Sequence, residues 1–126
     1  MATERGELIR QDYERNTWLI EHTLEGLTHA ESLLHLPFKA NCLNWVLGHI
    51  LAGRHIALEA LGGAALWEEA TVARYRGGSA PVTDGNDART LDALLADVAR
   101  SQEMLDEVLH ACTAADRERT LETRPG

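Results

Sequence analysis

An all-α fold is what this sequence of 126 residues predicts, and two observations carry the prediction. Three long segments repeat their apolar residues with the 3.6-residue period of a helix, and nowhere do apolar and polar residues alternate for more than a few positions, as a half-buried strand requires. Pro37 and the pairs Gly62-Gly63 and Gly77-Gly78 fall between those segments, where chain reversals belong.

The first helix is expected from about Glu7 to Leu34. Ile9, Tyr13, Asn16, Ile20, Thr23, Leu27 and Leu34 lie within about 40° of one line at ~100° per residue and form its expected core face. Glu14, Trp18, His22, Glu25 and His29 occupy the opposite side. Trp18 is the one large apolar residue among them, and a lone tryptophan on a polar face hints at a subunit contact. The run Leu36-Pro37-Phe38 ends this helix, because a residue before proline is pushed out of the α region.

The second helix is expected from Cys42 to Leu61, with Asn41 as N-cap and Gly62-Gly63 closing it. Measured from Val46, its apolar arc takes in Trp45, Leu47, Ile50, Leu51, Ala52, Ile56, Leu58 and Leu61. Only Asn44, Gly48, His55 and Glu59 remain as a polar strip, which predicts a helix covered on most of its circumference. His49 falls about 60° from Val46, inside the arc, and His55 about 180° from it, in the strip. A buried imidazole needs either a hydrogen-bond partner or a metal, so His49 is the leading candidate site residue.

A long crossover, 62–89, follows, with a short helix expected over Ala65 to Tyr75 and turn-rich runs at Gly77-Gly78-Ser79-Ala80-Pro81 and Asp84-Gly85-Asn86-Asp87. The third helix starts after Thr90 as N-cap, with Asp92 favourable in its first turn, and is expected to bury Leu91, Leu94, Leu95, Val98, Leu105, Val108, Leu109 and Cys112. Ser101 and Gln102 interrupt that face. A polar break at mid-helix marks either a site in a bundle core or a satisfied buried polar pair. Residues 113–126 are polar and read as a connector within a single domain. Two amphipathic partners cannot easily cover so apolar a second helix, so a fourth helix is expected, either beyond the last residue or supplied by a second copy.

Charge and cysteine usage restrict the function classes. With 20 acidic against 12 basic residues, a net charge of -8 and a single lysine, Lys39, the chain lacks the basic surface that nucleic acid or anionic membrane requires. No apolar leader opens the chain and no stretch nears the ~20 apolar residues of a membrane span, so a cytoplasmic location is expected. Cys42 and Cys112 form neither a CxxC pair nor a disulfide framework, which fits a reducing compartment. Cys42 lies near a helix N-terminus, where the dipole lowers a thiol pKa, but it reads better as a small buried thiol.

The first helix with Asn16, the segment Asn41-Cys42-Leu43-Asn44-Trp45-Val46-Leu47-Gly48-His49-Ile50 and the crossover run Tyr75-Arg76-Gly77-Gly78-Ser79 resemble the DinB-like, YfiT-like bacterial family of metal-dependent four-helix bundles. The resemblance spans nearly the whole chain. It implies a divalent metal (zinc, nickel or iron) held by three histidines, one on the second helix and an H-x3-H pair on the fourth. His49 matches the first, and the other two have no counterpart here. Three ligands would leave a position open for water or a small-molecule thiol, which suits a thiol-dependent transferase or isomerase. Asn16 and Gln102 are the pocket candidates, able to orient a ligand.

The remaining histidines read differently. His22 and His29 face outward, His35 sits in a helix-ending turn, and His110 lies near the end of the third helix, where a protonated ring complements the dipole. Two further readings stay open beside the metalloenzyme. One is a non-catalytic helical module that homodimerises, with His49 at or beside the interface. The other is a fragment whose activity went with its missing helix.

Overall fold

The computed structural model describes residues 4–35, 37, 40–83 and 87–111. It contains α1 (Glu4–Thr23), α2 (His29–Ser32), α3 (Leu43–Ala60), α4 (Glu69–Tyr75) and α5 (Leu91–His110), with no strand among the described residues. The all-α class expected from the periodicity is the class observed. None of these helices is long and apolar enough to cross a membrane. Cys112 and the connector over 113–126 lie outside the described residues.

The first predicted helix is in fact two. Gly26 takes φ 81°, a left-handed conformation that glycine adopts without strain and that stops α1. Thr28 then opens α2 with a capping box: its hydroxyl accepts the Glu31 N–H at 3.1 Å, and the Glu31 carboxylate accepts the Thr28 N–H at 3.0 Å. The break removes Leu34 from the core, where it was expected, and leaves it 70% exposed. The inner face of α1 is also turned from the expected one: Thr17 is buried while Asn16 and Thr23 are exposed. Ile9, Tyr13, Ile20 and Leu27 keep their expected places against the core.

α5 is the central helix, with α1 and α3 both packing chiefly on it and little on each other. Its N-terminus is as expected, the Thr90 hydroxyl accepting the Ala93 N–H at 3.2 Å. Leu91, Leu94, Val98, Leu105 and Leu109 are buried, while Leu95 and Val108 pack half-buried at the edge. They join Leu47, Leu51 and Leu58 of α3 in one core, each fully buried side chain contributing about 1.5–3 kcal/mol before entropy is counted.

The largest departure concerns α3, whose observed orientation inverts much of the expected one. Three members of its polar strip, Asn44, Gly48 and His55, are buried, whereas Val46, Ile50 and Ile56 of the apolar arc are exposed. The crossover supplies the reason. It carries main-chain and indole groups that need partners once buried, and polar residues of α3 and α5 provide them. Asn44 Nδ2 donates to the Arg89 carbonyl at 2.9 Å, and the Trp67 N–H donates to His55 Nδ1 at 3.2 Å. Trp67 Nε1 and Arg89 Nε donate to the buried Asp97 carboxylate at 2.9 and 2.8 Å. Within the crossover, α4 begins at Glu69, later than the expected Ala65.

The exposed edge of α3 faces an apolar groove shared with α1. Leu19, Ile20 and Thr23 line it from α1, Leu24 from the turn that follows, and Val46, Leu47 and Ile50 from α3. Leu19 and Ile50 remain 48% and 40% exposed there. The expectation that α3 is covered on most of its circumference is therefore not met within the described chain.

Candidate functional site

His49 lies on the exposed stripe of α3 that includes Val46, Ile50 and Gly53, so the buried position expected for it is corrected to an exposed one. Its ring is nonetheless held on two sides. It stacks on Trp45, one turn earlier, with ring centroids 4.7 Å apart and planes 13° from parallel. Its Nδ1 lies 2.9 Å from the carbonyl oxygen of Tyr75. A carbonyl only accepts, so Nδ1 carries the proton and the lone pair of the neutral ring sits on Nε2.

Tyr75 is the last residue of α4, and its carbonyl is one of those that a helix C-terminus leaves without an internal partner. His49 satisfies it. The Tyr75 ring is fully buried, and burial pushes its hydroxyl pKa up. That hydroxyl donates to Asn44 Oδ1 at 2.9 Å and accepts the Arg89 N–H at 2.8 Å. The ring lies so close over Gly48 that a Cβ at that position would overlap it. Trp45 is fixed in turn, its Nε1 donating to Ser79 Oγ at 2.9 Å.

The two pocket candidates do not join His49. Asn16 is exposed on α1, against the expectation that it faces the core. Gln102 is buried as part of a different cluster, where its Oε1 accepts from Thr17 Oγ1 at 2.6 Å and its Nε2 donates to Asp106 at 2.8 Å. The centre of that cluster is Arg54, only 3% exposed. Its Nη1 donates to Ser101 Oγ at 2.9 Å, and its Nη2 to Thr17 Oγ1 at 2.9 Å and the Tyr13 carbonyl at 3.2 Å. Burial pulls the guanidinium below its usual pKa, while Tyr13, Asp106 and Glu21 pull upward. The polar break at Ser101 and Gln102 is thus a satisfied network that ties α1, α3 and α5 together.

His22, His29, His35 and His55 also have protein partners. His55, expected in a wet strip, is 3% exposed, accepting from Trp67 at Nδ1, with Nε2 3.3 Å from Glu59. His29 Nδ1 accepts the N–H of Leu91 at 3.1 Å, capping the first turn of α5 from outside it. His35 Nε2 donates to the Val82 carbonyl at 2.7 Å. His22 is exposed as expected, stacked on Trp18 at 3.9 Å with Nδ1 donating to the Trp18 carbonyl. Cys42 is buried as expected, its thiol 3.6 Å from the Val82 carbonyl oxygen.

Sequence reasoning passed over Arg54 and Tyr75. Arg54 follows Leu47 and Leu51 at helical spacing, a sign that it faces inward. Gly48, at a cost of about 1 kcal/mol in a helix interior, signals a close approach of another group. No group of three His, Cys, Asp or Glu side chains suited to a metal lies together among the described residues. No family model, curated protein or solved structure matches the chain.

Proposed function

We propose that this chain is the body of a metal-dependent enzyme of the DinB-like type, with His49 as the ligand contributed by α3. The observation that carries the reading is the His49–Tyr75 hydrogen bond at 2.9 Å, which leaves Nε2 as the free basic nitrogen on an exposed face. Histidines that bind metals commonly donate their other ring N–H to a carbonyl in this way. His49 supplies one donor, and no group of three His, Cys, Asp or Glu side chains suited to a metal forms among the described residues.

Two further imidazoles would have to arrive on a helix seated along the Val46–Ile50–Gly53 stripe, beside the α1–α3 groove. That helix would complete a four-helix bundle by filling the groove that the described residues leave between α1 and α3. Zinc, nickel or iron bound there would lower the pKa of a small-molecule thiol or a water and supply the nucleophile for a transferase or isomerase reaction. This chain's own part is to hold one imidazole in its binding tautomer and to offer an apolar wall beside it.

The test is a zinc and nickel titration, followed by calorimetry and metal analysis, of protein expressed from its full reading frame. About one equivalent should bind to the wild type and be lost in His49→Ala at unchanged helicity. A wild type that takes up neither metal, or a variant that still does, rejects the reading.

The groove favours a second reading, a non-catalytic module that pairs two copies of the chain through α1 and α3. Exposed Leu19, Val46 and Ile50 support it. Sedimentation equilibrium at high protein concentration should then detect a dimer, and a strictly monomeric species with full helicity rejects pairing.

A further inference from the structure

We infer that Tyr75, seated on Gly48, is a positioning residue for His49, fixing the imidazole in its Nδ1–H form from outside α3. The inference uses the ligand role of His49 for its consequence, but its geometry stands without it.

Three contacts hold the tyrosine to α3 or to the chain beside it. Its hydroxyl is bonded to Asn44 and to the Arg89 N–H, its ring covers Gly48, and its carbonyl receives the His49 Nδ1 proton. Asn44, Gly48 and His49 lie within two turns of α3, so one side chain and its own carbonyl span the site. A side chain at Gly48 would displace the ring and with it the end of α4. Gly77 completes the seat, for a Cβ there would stand 3.6 Å from His49 Cε1, in ordinary contact with the ring. An exposed imidazole without a fixed acceptor exchanges between its two tautomers, so the carbonyl decides which nitrogen is free to bind.

Nitrogen-15 NMR of the full chain, at a pH where His49 is neutral, tests this directly. The wild type should show a protonated Nδ1, an unprotonated Nε2, and a coupling across the hydrogen bond from His49 Nδ1 to the Tyr75 carbonyl carbon. Tyr75→Phe keeps the ring and the carbonyl and should keep this pattern. Gly48→Ala and Tyr75→Ala should give mixed tautomers and lower zinc affinity about 10- to 100-fold, the usual effect of losing a ligand's orienting partner.

A wild-type His49 protonated at Nε2, or lacking the coupling, overturns the inference even if both alanine variants fail to fold. Folded alanine variants that keep the wild-type tautomer overturn the role of the Gly48 seat. A wild type with the expected tautomer that nevertheless binds no zinc rejects the metal reading alone and leaves the positioning role standing.

Discussion

Arg54 holds a charge in the core against neutral acceptors: two hydroxyls and main-chain carbonyls, with no carboxylate bonded to it among the described residues. Such a residue contributes through geometry more than through Coulomb energy, since its planar fork satisfies acceptors on two neighbouring helices, α1 and α5, at once. Arg54→Ala should therefore lower unfolding stability by about 2–4 kcal/mol, from lost packing plus orphaned partners. Arg54→Lys should recover little of it, because an ammonium cannot reach acceptors on both α1 and α5. Urea denaturation of the two variants checks this, and a lysine variant as stable as the wild type would show that charge alone suffices. Nothing in the apolar pattern of α3 identifies Arg54 as a tie, because a sequence records spacing but not what stands opposite.

Among the elements, α2 is the one most dependent on its cap. With four residues it cannot sustain itself by propagation, so the Thr28–Glu31 box carries much of its order. The Thr28 N–H and hydroxyl bonded to the Glu31 carboxylate lower its pKa from 4.5. A carboxyl with a depressed folded pKa contributes stability that is complete above its unfolded value and is lost as pH falls through the folded one. Amide exchange of residues 29–33 should accordingly quicken, relative to its intrinsic rate, as pH falls below about 4.5, and this step should vanish in Glu31→Gln. An unchanged profile in that variant would assign the pH response to another group. The T-x-x-E signature was legible in the chain, as was the Thr90 cap of α5. What hid the first was the apolar period running on through Leu27 to Leu34, which a break at Gly26 interrupts without altering.

At the scale of the molecule, α5 gathers α1 and α3, and no described residue covers the groove between them. Leu19→Lys combined with Ile50→Lys should change monomer stability by no more than about 0.5 kcal/mol, since both side chains are already half in water. The same pair should abolish pairing of two copies, or docking of a further helix, in sedimentation. If the double variant unfolds instead, the groove is part of the core and not a docking face. The crossover belongs to this scale as well, because Asp97 and His55 anchor it by bonds to Trp67 and Arg89 that span 30, 12 and 8 residues of sequence. The sequence by itself determined that the chain is helical, where α3 and α5 run, and which cap starts α5, because periodicity and capping are local. Only the tertiary structure decided which side of α3 turns inward. A helix apolar on most of its circumference leaves its own rotation undetermined, and here the buried polar groups of the crossover chose the face that could bond to them, turning His49 outward and His55 in.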